Sequence, residues 1–482
     1  MLLAAVIVYL GTPYGPGLTP DTVLYLETAD VLRTEFRLPA QLMQGSRPGS
    51  AVPPLYPAAL AAVGGGLDHL APVRWLNIGL FAASTWLFAG LLWRLSRSSV
   101  LFSTLGTAAF VSSIVMLEIH TAAWSEPLFI FLELACLWAT ANYLEKPSLR
   151  ACAATAVLFA LAPLCRFAGI TVLAAGVLAV LLFRYRRWVE VLLFGVLSSA
   201  PLAALLLWNR SQSGSAAGTG EFSPYLPWGD VVVLGNTMAA WVIPGIDRFQ
   251  VVPGQDWLAA GVVLGMAIYY AMALRYAELS KDKLMAVSLL FLVVYPSVIL
   301  GLITFVKADL PLEQRILCPM CILVLLTAPA LAARAPSSGA LAKVSKLGFG
   351  LLLLVYLPPL VVGLSHLSTQ GRGYTGPPYH APEIYAYLRE HPAEVLHTND
   401  PAAAWLKVRR LGDGMPGEKL DGPLLYYRIG HPVPPRHQEA VKRPTAPPDE
   451  AVDSLVRGGS ARLVKKQGQV ELYLPASAPD PF

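Results

Sequence analysis

Charge is the scarcest thing in this chain. Of its 482 residues, 14% are Asp, Glu, Lys or Arg, against about 25% in a soluble domain. Apolar residues make up 55%, and mean hydropathy is +0.54. A chain of that balance cannot solvate its own surface and belongs among polytopic membrane proteins. Cysteine is equally sparse: Cys136, Cys152, Cys165, Cys318 and Cys321, all in apolar segments, which excludes a disulfide framework. The Cys318-Pro-Met-Cys321 spacing has no second ligand pair, so it reads as small residues packing between helices. No basic n-region precedes the apolar Met1–Leu10 stretch, which is too short to span a bilayer and reads as a truncated first helix. No P-loop occurs in the polar tail, and no nucleic-acid partner is expected.

What the sequence has instead is apolar runs. They lie near 1–11, 72–93, 100–117, 127–144, 151–165, 167–183, 189–208, 258–274, 284–305, 316–333 and 347–364. That predicts a polytopic α-helical protein of about eleven transmembrane segments. Arg94, Arg97, Lys146, Arg150, Arg184, Arg186, Arg187, Arg275, Lys281, Lys283, Arg334, Lys343 and Lys346 fall in alternate short loops. By the positive-inside rule those loops are cytoplasmic. Loop 12–71, the turn at 118–125, loop 209–257, the turn at 306–315 and the tail then share the outer face.

Two regions organise that face. Within loop 12–71, Asp21–Arg37 predicts a helix lying on the membrane surface and Tyr56–Leu70 a second interfacial helix, with a flexible 38–54 between them. From 366 onward composition turns soluble, so the chain divides into a transmembrane domain over 1–365 and a small C-terminal α/β domain over 366–482. In the tail, Pro382–Glu390, Pro401–Val408 and Glu450–Arg457 predict helices. Glu394–His397 predicts a short strand, Ala461–Val464 with Gln469–Tyr473 a terminal hairpin, and 412–448 loop.

Ionisable residues near membrane depth are costly and mark functional sites by default. One rim collects Asp21, Glu118, His120, Glu126, Arg166, Lys307, Asp309, Glu313 and Arg315. Arginines there suit a phosphate; a carboxylate suits an attacking hydroxyl's proton. Each has a plainer reading. Asp21 can cap a helix, Glu126 can complement a helix dipole, Arg166 can snorkel, and Glu118 and His120 can be ordinary loop residues. Acids at the rim can also hold a divalent metal, and metal dependence stays open.

Several motifs fall in a recognisable order. Pro20-Asp21-Thr22 with Tyr25 and Ala29 follows the first apolar segment, and Pro53-Pro54-Leu55-Tyr56-Pro57 comes next. Ser125-Glu126-Pro127-Leu128-Phe129, Leu164-Cys165-Arg166-Phe167-Ala168-Gly169 and Glu313-Gln314-Arg315-Ile316-Leu317-Cys318-Pro319 complete the set. Together they resemble the GT-C glycosyltransferases, in the bacterial branch related to protein O-mannosyltransferases and the lipid A aminoarabinose transferase. The resemblance spans residues 14–330. The chain departs from the mannosyltransferases in having Thr22 where they carry a second acid after Asp21.

The resemblance implies a GT-C-like bundle that transfers a sugar from a polyprenyl-phosphate donor to an acceptor hydroxyl, with inversion, on the outer face. It implies Asp21 as catalytic base, Glu126 as a supporting acid, and Arg166 and Arg315 as ligands of the donor phosphate. Glu118, His120, Lys307, Asp309 and Glu313 are further candidates on the same rim. Membrane lipids and an acceptor glycan, lipid or protein are the implied partners. A bacterial inner membrane is the implied location, with the active site and the tail domain facing the periplasm. Two other classes compete. A transporter or flippase would show inverted repeats and mid-membrane charges, and a non-catalytic envelope-assembly subunit would dispense with Asp21 and Arg315 together.

Overall fold

The computed structural model describes residues 1–482 except 43–46, 49–51, 214–227, 242–260, 262–264, 266–281, 307–313, 335–339, 393–394, 411–414, 417–419, 429–447 and 480–482. The chain opens with α1 (Leu2–Leu10), then α2 (Pro20–Glu35) and a two-residue antiparallel pairing of β1 (Gln41–Leu42) with β2 (Arg47–Pro48). Next come α3 (Leu55–Ala62) and the bundle helices α4 (Leu70–Leu95), α5 (Val100–Ser112), α6 (Ile114–His120), α7 (Glu126–Glu145), α8 (Leu149–Cys165), α9 (Ile170–Arg184) and α10 (Trp188–Ser213). After these follow α11 (Trp228–Ala240), α12 (Lys283–Val306), α13 (Gln314–Arg334) and α14 (Ala340–Gln370).

Among the described residues seven helices are long and apolar enough to cross a membrane, and α5 and α6, bent by 53° between them, form either a broken eighth span or a re-entrant pair. The protein is therefore an integral membrane protein. The expected segment at 258–274 lies almost wholly outside the described residues, and α1 and α8 fall below spanning length. The bend between α5 and α6 falls at Ser113, whose extended backbone (φ −63°, ψ 127°) breaks the ladder of helical hydrogen bonds. Prolines inside α8, α10, α12, α13 and α14 are tolerated because neighbouring helices satisfy the freed backbone groups.

The loop cations expected on one side do gather at one end of the bundle. Arg94 pairs with Glu145 at 2.6 Å, Arg184 with Glu190 at 2.8 Å, and Arg334 with Asp282 at 2.5 Å. Lys283 donates to the Leu144 carbonyl at 2.9 Å. Asp21, Glu126, Arg166 and Arg315 occupy the opposite end.

The expected second interfacial helix is shorter than Tyr56–Leu70. Helix α3 stops at Ala62, and Gly64, Gly65 and Gly66 turn the chain before α4 begins. That turn is built around Asp30 of α2, whose Oδ2 accepts from the Leu67 amide at 2.9 Å. Residues 412–448 are not all loop. Leu424–Tyr427 forms β4, the second strand of a four-stranded sheet with β3 (His397–Thr398), β5 (Ala461–Gln467) and β6 (Val470–Pro475) in the order β3-β4-β6-β5. Strand β3 runs parallel to β4, and the other pairs are antiparallel. The helices α15 (Pro382–Glu390), α16 (Pro401–Val408) and α17 (Pro448–Arg457) complete the tail.

Strand alternation divides the sheet's two faces. Leu425, Tyr427, Val470 and Leu472 join the core that continues into the bundle, while Leu424, Tyr426 and Tyr473 pack with Val452 and Leu455 of α17. The tail is thus held against the bundle by its own apolar face. Two backbone links add to this. Leu18 bridges Gly373, with the Tyr374 amide donating to the Leu18 carbonyl at 3.1 Å. Gly373 sits at φ +54°, and a Cβ there would come within 1.9 Å of the Leu18 carbonyl oxygen, so only glycine fits.

Candidate active site

Helix α2 begins with Thr19 at the N-cap and Pro20 in the first turn. The Thr19 amide donates to Thr22 Oγ1 at 3.2 Å, closing a capping box. The cap reading of Asp21 is thereby answered: Thr19 takes that position, and the Asp21 carboxylate is left for something else. Its Oδ2 pairs with Arg315 Nη1 at 2.7 Å, and the side chain stays 52% exposed. That leaves an accessible carboxylate beside one guanidinium at the start of α2.

Behind Asp21 the network becomes buried. Glu126 opens α7 after Ser125 and is 1% exposed. Its Oε1 pairs with both Arg315 Nε and Arg166 Nη1. Arg166 follows α8 in extended conformation (φ −150°, ψ 141°), where the chain reverses into a 3-10 turn at Phe167–Gly169. A Cβ on Gly169 would lie 2.2 Å from the Ala162 carbonyl carbon, so the tight return that aims Arg166 at Glu126 depends on glycine. Arg166 Nη1 also donates to Ser125 Oγ at 3.2 Å, and Tyr25 Oη shares that hydroxyl at 3.3 Å. Burial, then the nearby Glu126 charge, push the Tyr25 phenol up to about 12, so it remains a neutral hydrogen-bonding group. Tyr25 meets Tyr56 edge-on, centroids 5.3 Å apart. The Pro-Pro-Leu-Tyr-Pro segment therefore starts α3 and backs this cluster.

Four residues, two acids and two arginines, thus form one connected and charge-balanced unit drawn from α2, α7, the α8–α9 turn and α13. Buried charges must be paired in this way. Arg315 is the only member that also lines the large cavity beside it. That cavity, about 1010 Å³, is bounded by α6, α11, α13, α14 and the linker after α14. Trp124 forms part of its wall with Arg315 on its ring at 4.5 Å and Arg372 at 4.6 Å. Trp124 Nε1 donates to Thr19 Oγ1 at 3.0 Å, tying the wall to the start of α2.

The remaining candidates separate. Glu118 lines the cavity. His120 does not; it is fully buried, stacked on Phe81 at 4.2 Å with Nδ1 at 2.9 Å from the Met116 carbonyl. Lys307, Asp309 and Glu313 lie outside the described residues. The cysteines are all free and buried. Among the described residues no three His, Cys, Asp or Glu side chains gather where a metal could bind.

Sequence reasoning missed Trp124, Ser125 and Arg372. It also passed over Glu133, a fully buried α7 carboxyl with both oxygens unpartnered, although a lone acid in Leu-Glu-Leu at membrane depth was a readable signal.

Among solved structures, the chain resembles ArnT from Cupriavidus metallidurans in its apo state, at 15% identity and TM-score 0.46, over 99% of this chain and 97% of that one. The same protein bound to undecaprenyl phosphate matches at 14% and 0.46, over 98% and 96%. The Archaeoglobus fulgidus oligosaccharyltransferase, in complex with Zn and sulfate, matches at 11% and 0.51, covering 88% of this chain and 67% of that one. No family model and no curated protein sequence matches. The chain shares the fold of the Archaeoglobus fulgidus oligosaccharyltransferase.

Proposed function

We propose that the protein is an inverting membrane glycosyltransferase that moves a sugar from a polyprenyl-phosphate donor to an acceptor hydroxyl. The observation that carries this reading is the position of Arg315. One guanidinium holds the exposed Asp21 carboxylate at 2.7 Å and lines a cavity of about 1010 Å³. In this reading Asp21 as base and Arg315 as phosphate ligand sit side by side at one end of the bundle. The fold is compatible with the same chemistry.

In this reading the acceptor hydroxyl loses its proton to Asp21 as its oxygen bonds to the anomeric carbon. The bond from that carbon to the phosphate oxygen breaks, and the electron pair leaves with the lipid phosphate. Arg315 stabilises the charge that grows there, as a fixed donor does in any oxyanion site. The leaving phosphate needs no proton at neutral pH, so one carboxylate suffices, unlike the pair used in glycoside hydrolysis. Glu126 and Arg166, enclosed behind Arg315, act as positioning residues that hold its fork in place. This assigns Glu126 a supporting place without substrate contact. The Asp21 end of the bundle would then face the periplasm of a bacterial inner membrane, with the tail domain on the same side.

The test is transfer from labelled polyprenyl-phosphate sugars by the purified full chain and by Asp21→Asn. Wild type should release lipid phosphate, and the variant should fold, bind donor and release none. An active Asp21→Asn protein would remove Asp21 as base. A wild type silent with every donor and acceptor extract would favour a transporter or an assembly subunit.

A further inference from the structure

Asp21 and Glu126 carry two negative charges, and Arg166 and Arg315 carry two positive ones. All four are joined by ion pairs. An incoming phosphate finds both of those arginines already committed to carboxylates. Arg372 differs. It comes from the linker that follows α14, stacks on the cavity's tryptophan, and is held by oxygens of α6 and the turn after it. Its Nη1 donates to the Glu118 carbonyl and to Thr121 Oγ1, the latter at 3.4 Å. Among the described residues no carboxylate is ion-paired to it, while its side chain lines the cavity. Burial draws its guanidinium below its ordinary value, yet arginine stays charged throughout the physiological range.

The cavity is also amphiphilic in plan. Arg315, Arg372, Trp124 and Glu118 lie at one end. Ile114, Leu117, Val362 and Gly363, from α6 and α14, form an apolar trough in the same lining. Gly363 sets the close approach of α14 to α6 along that trough, since a Cβ there would come within 2.8 Å of Ile114 Cδ1 and 3.2 Å of Leu117 Cδ2. No residue of α2 or α3 lines it.

We propose that Arg372 binds the phosphate of a polyprenyl phosphate and that the isoprenoid chain lies in the α6–α14 trough. This rests on the donor class proposed above. Arg372 offers phosphate oxygens the donors of its fork that Nη1 does not spend on the Glu118 carbonyl and Thr121, Arg315 shares the leaving oxygen, and the Glu118 carboxylate on the same wall suits sugar hydroxyls.

The test measures binding of undecaprenyl phosphate and of undecaprenol to the full chain in detergent by native mass spectrometry. Wild type should prefer the phosphate. Arg372→Gln should lower phosphate binding about 10–100-fold, the worth of one charged hydrogen bond, and leave the alcohol unchanged. Arg372→Lys should recover part of the loss. Gly363→Leu should weaken both ligands together. Misfolding would remove both ligands equally, so the phosphate-to-alcohol ratio still reads the role of Arg372. An Arg372→Gln protein that keeps the wild-type ratio overturns the proposal. A wild type with no preference for the phosphate overturns the donor class itself, which is a separate failure.

Discussion

Glu126 is the point at which the site's stability and its chemistry can be tested together. Its side chain is 1% exposed, and one oxygen receives both Arg166 and Arg315. Glu126→Gln keeps the shape and removes the charge. Two guanidiniums would then face Asp21 alone, the local balance changing from zero to plus one. Removing one partner of a buried ion pair costs about 3–5 kcal/mol. The same change frees the Arg315 fork, and one lost charged hydrogen bond of about 1.5–3 kcal/mol corresponds to roughly 10–150-fold in rate. Unfolding in mixed micelles titrated with dodecyl sulfate, followed through the 11 tryptophans, gives the stability change, and donor turnover gives the rate. The decisive variant is the double change of Glu126→Gln with Arg166→Gln, which restores the balance. It should be less damaging than the two singles predict, by roughly 1–3 kcal/mol of coupling. Additivity within about 0.5 kcal/mol would mean the two residues do not act as a pair, and the positioning role would fall.

Other expectations follow from single contacts. Gly373→Ala places a Cβ against the Leu18 carbonyl at a positive φ, so limited proteolysis should release the tail more readily than from wild type; unchanged resistance would show that the bridge is dispensable. Glu471 in β6 is 2% exposed. Burial alone would raise its pKa, but Lys466, Tyr473 and Arg428 outweigh it and hold the carboxyl below its ordinary range. A carboxyl depressed in the folded state stabilises above its unfolded value of about 4.3, and that contribution is lost as pH falls through the folded value. The tail should therefore lose stability on acidification below about pH 4, and Glu471→Gln should flatten that dependence in a pH series of thermal melts.

The parts of this fold that could be read from sequence were those with local signals. Pro382 and Pro401 each start a helix whose bounds match the expectation, because proline in the first turn followed by amphipathic spacing fixes both ends. Strand β4 was invisible because Leu-Leu-Tyr-Tyr is buried on both faces and so lacks alternation, and the surrounding polar residues masked it. The second interfacial helix was overextended because nothing in its own sequence reports that Asp30 anchors the glycine turn. Within the site, Asp21, Glu126, Arg166 and Arg315 were each legible as acids or arginines at span ends. Their joining was not, since Arg315 reaches Asp21 across 294 positions. Arg372 carried no signal at all: a lone arginine after a span reads as an interfacial cation, and its stacking on Trp124 exists only in three dimensions.

The bridge between Leu18 and Gly373 has a consequence for the history of each molecule. Leu18 precedes every bundle helix from α4 to α14 in the chain, and Gly373 follows them all. The cavity wall is closed by the late segment folding back onto the early one. A nascent chain therefore cannot close that wall until the segment after α14 has been made, and a bundle cut short before Gly373 would lack it.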